Sequence, residues 1–334
     1  MHQKTRGIQI QPAPFEMASK VISLQTIDMS PYLREGDEKG RKKVVEEIWK
    51  ASTECGFFQA VNHGIPVELL KKTRRIYREF FDRPDEEKLK CVPQVYERPS
   101  PGYFKSQQFG TKEGHEDFLT VAPGRLNVYP KDFPEFKQVL EEIFPYLVKL
   151  ASAIEEIINS ASGLPPNFLK EYNDDRNRDF LLGLHYPAAE NLANIGRYPH
   201  EDVNLITFVY QDHVGGLQVL NNGQWIPVIP DDEKLVVNIG DILQVLSNNK
   251  LKSATHRVFR TEGTERDSFA FFYSLKPDKW VEPLPQFTTE IGEPPKYRGF
   301  LYDDYMQLRQ RDYTDNQPDK YEDIARITYY AINA

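Results

Sequence analysis

The sequence predicts a mainly β fold with flanking helices, a sandwich or jelly roll, and three observations point to it. Eight short apolar runs follow one another at 179–186, 205–210, 216–220, 224–228, 234–239, 242–246, 254–260 and 267–275. Turn residues separate them, notably Asn221-Asn222-Gly223 and Asn238-Ile239-Gly240-Asp241. Many short strands at this spacing are the mark of a double-sheet architecture. A long helical stripe precedes the runs, and a polar helical tail follows them.

In chain order, Val21 to Ile27 alternates apolar and polar residues and predicts a strand. Residues 40–54 carry Val44, Val45, Ile48 and Ala51 among charges, a helical stripe that Gly56 ends. Phe57 to Val61 reads as a strand, Asn62-His63-Gly64 as a turn, and 66–82 as a second helix. Residues 93–115, rich in Pro, Gly, Gln and Ser, read as loop. A long helix is predicted over 134–162, with Leu140, Ile143, Leu147, Leu150 and Ile154 on one side and Pro145 expected to kink or divide it. After the β-rich block come Pro-rich residues and helical regions near 298–311 and 319–327. The expected organisation is an arm (1–20), a mixed α/β region (21–130), a helical segment (131–178), a jelly-roll core (179–278) and a helical tail (279–334) that is a candidate lid.

Composition narrows the function. With 334 residues the chain can bury a substantial core. A net charge of -8 with both signs interspersed argues against nucleic acid as a partner, which needs a basic face. No apolar run reaches the length of a membrane span, and the first residues lack a signal-peptide pattern. Cys55 and Cys91 are too few for a disulfide framework, which suits a reducing, cytoplasmic setting. No protein partner is implied; the expected partner is a small molecule.

Two pieces of the chain carry chemistry. In a strand, residues i and i+2 share a face, so His200 and Asp202 can reach one metal ion from one segment. His256, on a later β-rich run, supplies a third ligand. Two imidazoles and one carboxylate on one side of an ion leave the opposite positions open, an arrangement that suits Fe(II) chemistry with oxygen. A structural zinc site would favour cysteines and a closed shell. His-x-Asp also occurs without any metal. Arg266 and Ser268 lie two apart on a predicted strand; a guanidinium fork and a hydroxyl on one face can hold a carboxylate, and a dicarboxylate such as 2-oxoglutarate would fit. Tyr186 could donate a phenol hydroxyl to the same group. The plain alternative is an exposed ion pair of Arg266 with Glu262 or Glu265.

The succession Tyr186, His200-x-Asp202, Gly216-Leu217-Gln218-Val219, Asn238-Ile239-Gly240-Asp241, Ser247-Asn248, His256-Arg257-Val258 and Arg266-x-Ser268 resembles the plant-type 2-oxoglutarate and Fe(II)-dependent dioxygenases, relatives of isopenicillin N synthase. Gly56 to Pro66 is similar to that family's N-terminal signature, and the likeness runs from about residue 21 to 330. It implies a distorted double-stranded β-helix. It implies iron on His200, Asp202 and His256, 2-oxoglutarate on Arg266, Ser268 and Tyr186, O2 as cosubstrate and ascorbate as reductant. The reaction expected is hydroxylation or desaturation of a small, largely apolar molecule, coupled to decarboxylation of 2-oxoglutarate. An oxidase of the same fold that does not use 2-oxoglutarate, and a non-catalytic small-molecule binding protein, are the alternatives. Two positions depart from the family pattern. Glu201 stands where relatives often have Thr and is expected to face away from the metal. Leu184 stands where many have Asn.

The resemblance also marks Phe272 as a substrate contact. The other candidates are aromatics of the loops, strands and tail: Tyr103, Phe104, Phe118, Phe208, Tyr302 and Tyr305. His63 is expected to serve the Asn-His-Gly turn, His213 to lie in a loop, and His185 to face away from Tyr186.

Overall fold

The structure, a computed structural model, describes residues 23–93, 100–105, 115–188, 195–314 and 326–332; of 310–314 only the backbone is described. The expected arm and most of the last predicted helix lie outside them. The elements run β1 (Thr26–Asp28), α1 (Ser30–Leu33), α2 (Glu38–Glu54), β2 (Phe57–Val61), α3 (Val67–Phe81) and α4 (Asp85–Lys88). Next come β3 (Gly102–Lys105), β4 (Glu116–Val121), α5 (Pro134–Ala161), α6 (Phe168–Tyr172), β5 (Phe180–Tyr186), β6 (Ile195–His200) and β7 (Ile206–Gln211). The chain continues through β8 (Leu217–Asn221), β9 (Gln224–Pro227), β10 (Leu235–Ile239), α7 (Asp241–Leu246), β11 (His256–Phe259) and β12 (Arg266–Tyr273). It closes with β13 (Trp280–Val281), β14 (Phe300–Leu301) and α8 (Tyr302–Thr314).

These strands form a jelly roll. A larger sheet has the order β1-β2-β10-β7-β12-β5-β4-β3, and a smaller one the order β6-β11-β8-β9. Strand alternation gives the larger sheet two different faces. One face packs on helices: Phe118, Leu181, Phe208, Phe269 and Phe271 join α3 residues Ile76, Tyr77 and Phe80 and α5 residues Phe136, Leu140 and Leu147 in one apolar core. The other face turns toward the smaller sheet, where Leu184, Tyr186, Val236 and Ala270 meet Leu217, Val219 and Val258. The inner space between the sheets is thus lined by alternate residues of the same strands that build the core.

Several expectations are corrected. Residues 242–246 are the helix α7, not a strand. Ile242, Leu243, Val245 and Leu246 are all buried and only Gln244 is partly exposed, a run too short for its period to separate strand from helix. The region 93–115 is not all loop, because β3 lies within it, paired antiparallel with β4 at the edge of the larger sheet. Of β6, the sequence marks only the His200 end as strand, because Gly196 and Pro199 interrupt the run before it. Proline is tolerated there because β6 is an edge strand of its sheet. Pro145 does not divide α5, which runs over 28 residues with its apolar stripe buried on both sides of the proline. That burial outweighs a penalty of about 3 kcal/mol for an interior proline. Among the described residues no helix is long and apolar enough to cross a membrane, and Cys55 and Cys91 are free.

Candidate metal and cosubstrate site

The two histidines come together through strand pairing. β6 and β11 are antiparallel, and His200 and His256 are register partners, with ring centroids 4.2 Å apart. Asp202 lies just past the end of β6, in the loop that follows, so strand periodicity does not by itself place it. Its position is set by backbone and side-chain bonds. The Asp241 N–H donates to the Asp202 carbonyl at 2.8 Å, and Asn238 Nδ2 donates to Asp202 Oδ2 at 2.8 Å.

The three ligand atoms lie within 4.8 Å of one another. Both histidines direct Nδ1 to a backbone carbonyl, His200 to Tyr198 at 2.8 Å and His256 to Ala254 at 3.2 Å. Each Nε2 then stands 3.7 Å from Asp202 Oδ1. That is too long for a hydrogen bond and short enough for a shared ion. Burial pushes the His200 imidazole well below its usual range, reinforced by His256 and Arg197, so its Nε2 carries a free lone pair. Burial works to raise the Asp202 carboxyl, but His256, His200 and Asn238 outweigh it and hold the group below the usual range. A neutral His200 imidazole, two histidines each with one nitrogen fixed by a carbonyl, and an ionised carboxylate make up a donor set that suits a divalent metal. The residues therefore fit an iron ion. The edge of the Phe57 ring packs on His256 at 5.2 Å.

Arg266 is almost fully buried, at 1% exposure. Its Nη1 donates to Ser268 Oγ at 2.8 Å, its Nη2 to Gln211 Oε1 at 3.3 Å, and its Nε to the Gly215 carbonyl. The guanidinium carbon lies 4.9 Å from the centre of the Tyr186 ring, opposite it in the β5–β12 register. Among the described residues no carboxylate pairs with Arg266. The exposed ion pair considered from sequence does not form; Glu265 pairs with Arg78 instead. A buried cation surrounded by neutral acceptors is costly and calls for an anion. Gly216 lies beside it at φ +93, where a side chain would run into the Phe259 carbonyl.

The other predicted residues divide by strand face. Phe272 and Phe104 lie on the inner face: Phe272 stacks on Phe180 at 4.5 Å, and Phe104 pairs with Asp117, itself paired with the inner Leu184. Tyr103, Phe118 and Phe208 lie on the helix-facing side, within the main core, and the Tyr103 hydroxyl donates to Glu116 at 2.7 Å. Tyr302 and Tyr305 are buried in that core as well, and the Tyr305 hydroxyl donates to Asp241 Oδ2 at 2.6 Å. The structure thus does not bring these five to the inner space. His63 is buried in its turn and accepts the Ile65 N–H at 3.2 Å. His213 is exposed in the turn after β7, and His185 pairs with Asp267 at 2.8 Å, away from Tyr186. Glu201 turns away from the histidines toward Thr255 and Arg326.

The sequence gives no role to Asn238, although it stands in the family-like succession, nor to Gln211 and Gly215. Asn238 sits in a segment that reads as a turn, and only its place on β10 beside the ligand loop reveals its part. Gln211 and Gly215 reach Arg266 from a different strand and loop, which no local spacing announces.

Residues 177–275 match the model of the 2OG-Fe(II) oxygenase superfamily, and residues 24–133 match that of the non-haem dioxygenase in morphine synthesis N-terminal region. The chain is 32% identical to gibberellin 2-beta-dioxygenase 8 of Arabidopsis thaliana, over 93% of this chain and 89% of that protein. It is 32% identical to flavonol synthase/flavanone 3-hydroxylase of Matthiola incana, over 79% and 91% respectively. It is 31% identical to 1-aminocyclopropane-1-carboxylate oxidase of Musa acuminata, over 92% and 100%. Among solved structures, JOX2 in complex with 2OG, Fe and JA superposes with a TM-score of 0.77 at 28% identity, covering 93% of this chain and 90% of that one.

Proposed function

Since the chain belongs to the 2-oxoglutarate and Fe(II)-dependent oxygenases, we propose that it hydroxylates or desaturates a small, largely apolar molecule, with His200, Asp202 and His256 holding the iron and Arg266 and Ser268 holding the far carboxylate of 2-oxoglutarate. The observation that carries this reading is Arg266, a buried fork with no carboxylate partner among the described residues, set over Tyr186 in the inner cluster that also holds Val219, the register partner of His256. Bound iron and 2-oxoglutarate supply, with O2, the oxidising power, and succinate and CO2 are the coproducts. The protein's share is positioning and exclusion of water. The Nδ1 bonds of His200 and His256 aim both Nε2 atoms inward, and Asn238 fixes the Asp202 carboxylate. Arg266, Ser268 and Tyr186 orient the cosubstrate end, and Leu184, Val219 and Val258 keep that end dry.

Two observations support an apolar substrate. Relatives carry names of gibberellin and flavonol enzymes, and Leu182, Val209 and Phe272 line the inner face. Phe272, in the 179–278 catalytic core, and Phe104, on β3 outside it, are the substrate contacts we assign. Ascorbate as reductant and a cytoplasmic setting belong to the same reading; the free cysteines are consistent with it.

The test is a screen of apolar acids, terpenoids and flavonoids with Fe(II), ascorbate and 2-oxoglutarate. Succinate is quantified and products are read by mass spectrometry for gain of one oxygen or loss of two hydrogens. Substrate-dependent succinate from the wild type and none from Asp202→Ala is the expected result. Equal succinate from both proteins would end this assignment of the site.

A further inference from the structure

We propose that Glu201 is a positioning residue through which the C-terminal segment holds the metal-ligand loop, so that docking of the tail sets metal affinity. This rests on the assignment of His200, Asp202 and His256 as the metal ligands. Glu201 stands between two of them, and its carboxylate is buried at 7% exposure. A buried carboxylate persists only where it is paired and hydrogen-bonded. Its Oε1 accepts from Thr255 Oγ1 and from Arg326 Nη1, the latter at 2.9 Å. Thr255 is the residue before His256, and Arg326 belongs to the tail. One carboxylate therefore joins both ligand segments and the C-terminal segment.

The tail grips the loop at two further points. Arg309, on α8, donates from Nη2 to the Glu201 carbonyl at 2.9 Å. Tyr305, also on α8, donates to Asp241 Oδ2 at 2.6 Å, and the Asp241 N–H in turn holds the Asp202 carbonyl at 2.8 Å. Strand pairing sets His200 opposite His256 but does not carry the loop beyond them. His200 and His256 are paired at the very end of the β6–β11 ladder, and its register shifts between His256 and Val258. His256 also sits in unbroken register on β8, so what pairing leaves open is the placement of the 200–202 loop against it, and the Thr255–Glu201–Arg326 cluster is placed to supply that. The tail is thus a brace on the ligand loop rather than only a cover over the substrate space.

The experiment uses the full chain with Co(II) as a redox-stable probe, titrated by its visible absorption. Glu201→Gln and Arg326→Gln should each weaken Co(II) binding by about tenfold, the range seen when groups behind metal ligands are removed. The double variant should be no weaker than either single one, because both changes break the same link. Arg326→Lys should restore most of the affinity. In turnover assays the loss should disappear at saturating Fe(II), with KM for 2-oxoglutarate unchanged, a split that general loosening of the fold does not produce. Arg326 is 28% exposed; if Glu201→Gln does not fold, Thr255→Val takes its place. Co(II) affinity within about twofold of wild type in both single variants, with Asp202→Ala abolishing binding, would overturn the proposal. Unchanged binding in Asp202→Ala would instead show that the ligand assignment beneath it is wrong.

Discussion

Asn238 on β10 holds Asp202 from behind, Nδ2 to Oδ2 at 2.8 Å, and so leaves Oδ1 facing His200 and His256. The carboxylate is oriented before any metal arrives. Asn238→Ala should therefore weaken Fe(II) or Co(II) binding by about ten- to a hundredfold while the protein stays folded. Metal titration and a thermal melt check both halves. Full metal affinity in the variant would mean that the loop backbone alone orients Asp202.

Arg266 offers a second test. Its guanidinium is surrounded by Ser268, Gln211 and the Gly215 carbonyl, all neutral. Arg266→Met should raise KM for 2-oxoglutarate by about a hundredfold, as expected when a charge-assisted fork worth about 3 kcal/mol is lost. Without ligand the variant should melt no lower than wild type, because a buried cation without an anion is removed. Added 2-oxoglutarate, with a redox-inert divalent metal, should raise the melting temperature of wild type alone. A ligand-free variant that melts far below wild type would show that Arg266 serves the fold.

Gly196 gives a steric probe of the same place. A Cβ there would come within 2.8 Å of Tyr186 Cδ1 and 3.0 Å of Arg260 Cγ. Gly196→Ala should tilt the Tyr186 ring away from Arg266 and raise KM for 2-oxoglutarate several-fold, with metal affinity unchanged. Isothermal titration with 2-oxoglutarate and with Co(II) separates the two effects; loss of both together would indicate that β6 itself has moved.

His63 makes an acid-stability prediction. Burial pushes its imidazole down to about 4 from an unfolded value of 6.5. The folded state thus binds its proton later than the unfolded state does. The stability contributed by the neutral ring is complete above pH 6.5 and is lost as pH falls toward 4. The size is at most about 3 kcal/mol. His63→Gln should flatten this part of the pH–stability curve, measured by urea unfolding at stepped pH, and leave metal binding intact. Parallel curves for the two proteins would assign the acid sensitivity to other groups.

What the sequence made legible was chemistry at short range. His200-x-Asp202, His256 and Arg266-x-Ser268 announce themselves by residue type, and the alternation of β12 puts Arg266 and Ser268 together and Asp267 on the other face. Asp202 was expected on the strand and is found beyond its end, where Asp241 and Asn238 hold it; those partners come from elements that no local pattern joins to the loop. α7 reads as a strand because 242–246 is short and apolar but for Gln244, and one polar residue is too little to mark a period. The aromatic candidates were mixed for a related reason. Tyr103 and Phe104 differ by one position and lie on opposite faces, and only the register with β4 and β5 says which is inside.

The two faces of the eight-stranded sheet have a consequence for how such an enzyme changes over generations. Phe208 and Phe271 anchor the helices, while Val209 and Phe272, their immediate neighbours in sequence, look into the space between the sheets. Folding and selectivity are written on alternate letters of the same strands. A lineage can exchange the inward letters to accept a new molecule and leave the outward ones, with the scaffold they secure, untouched.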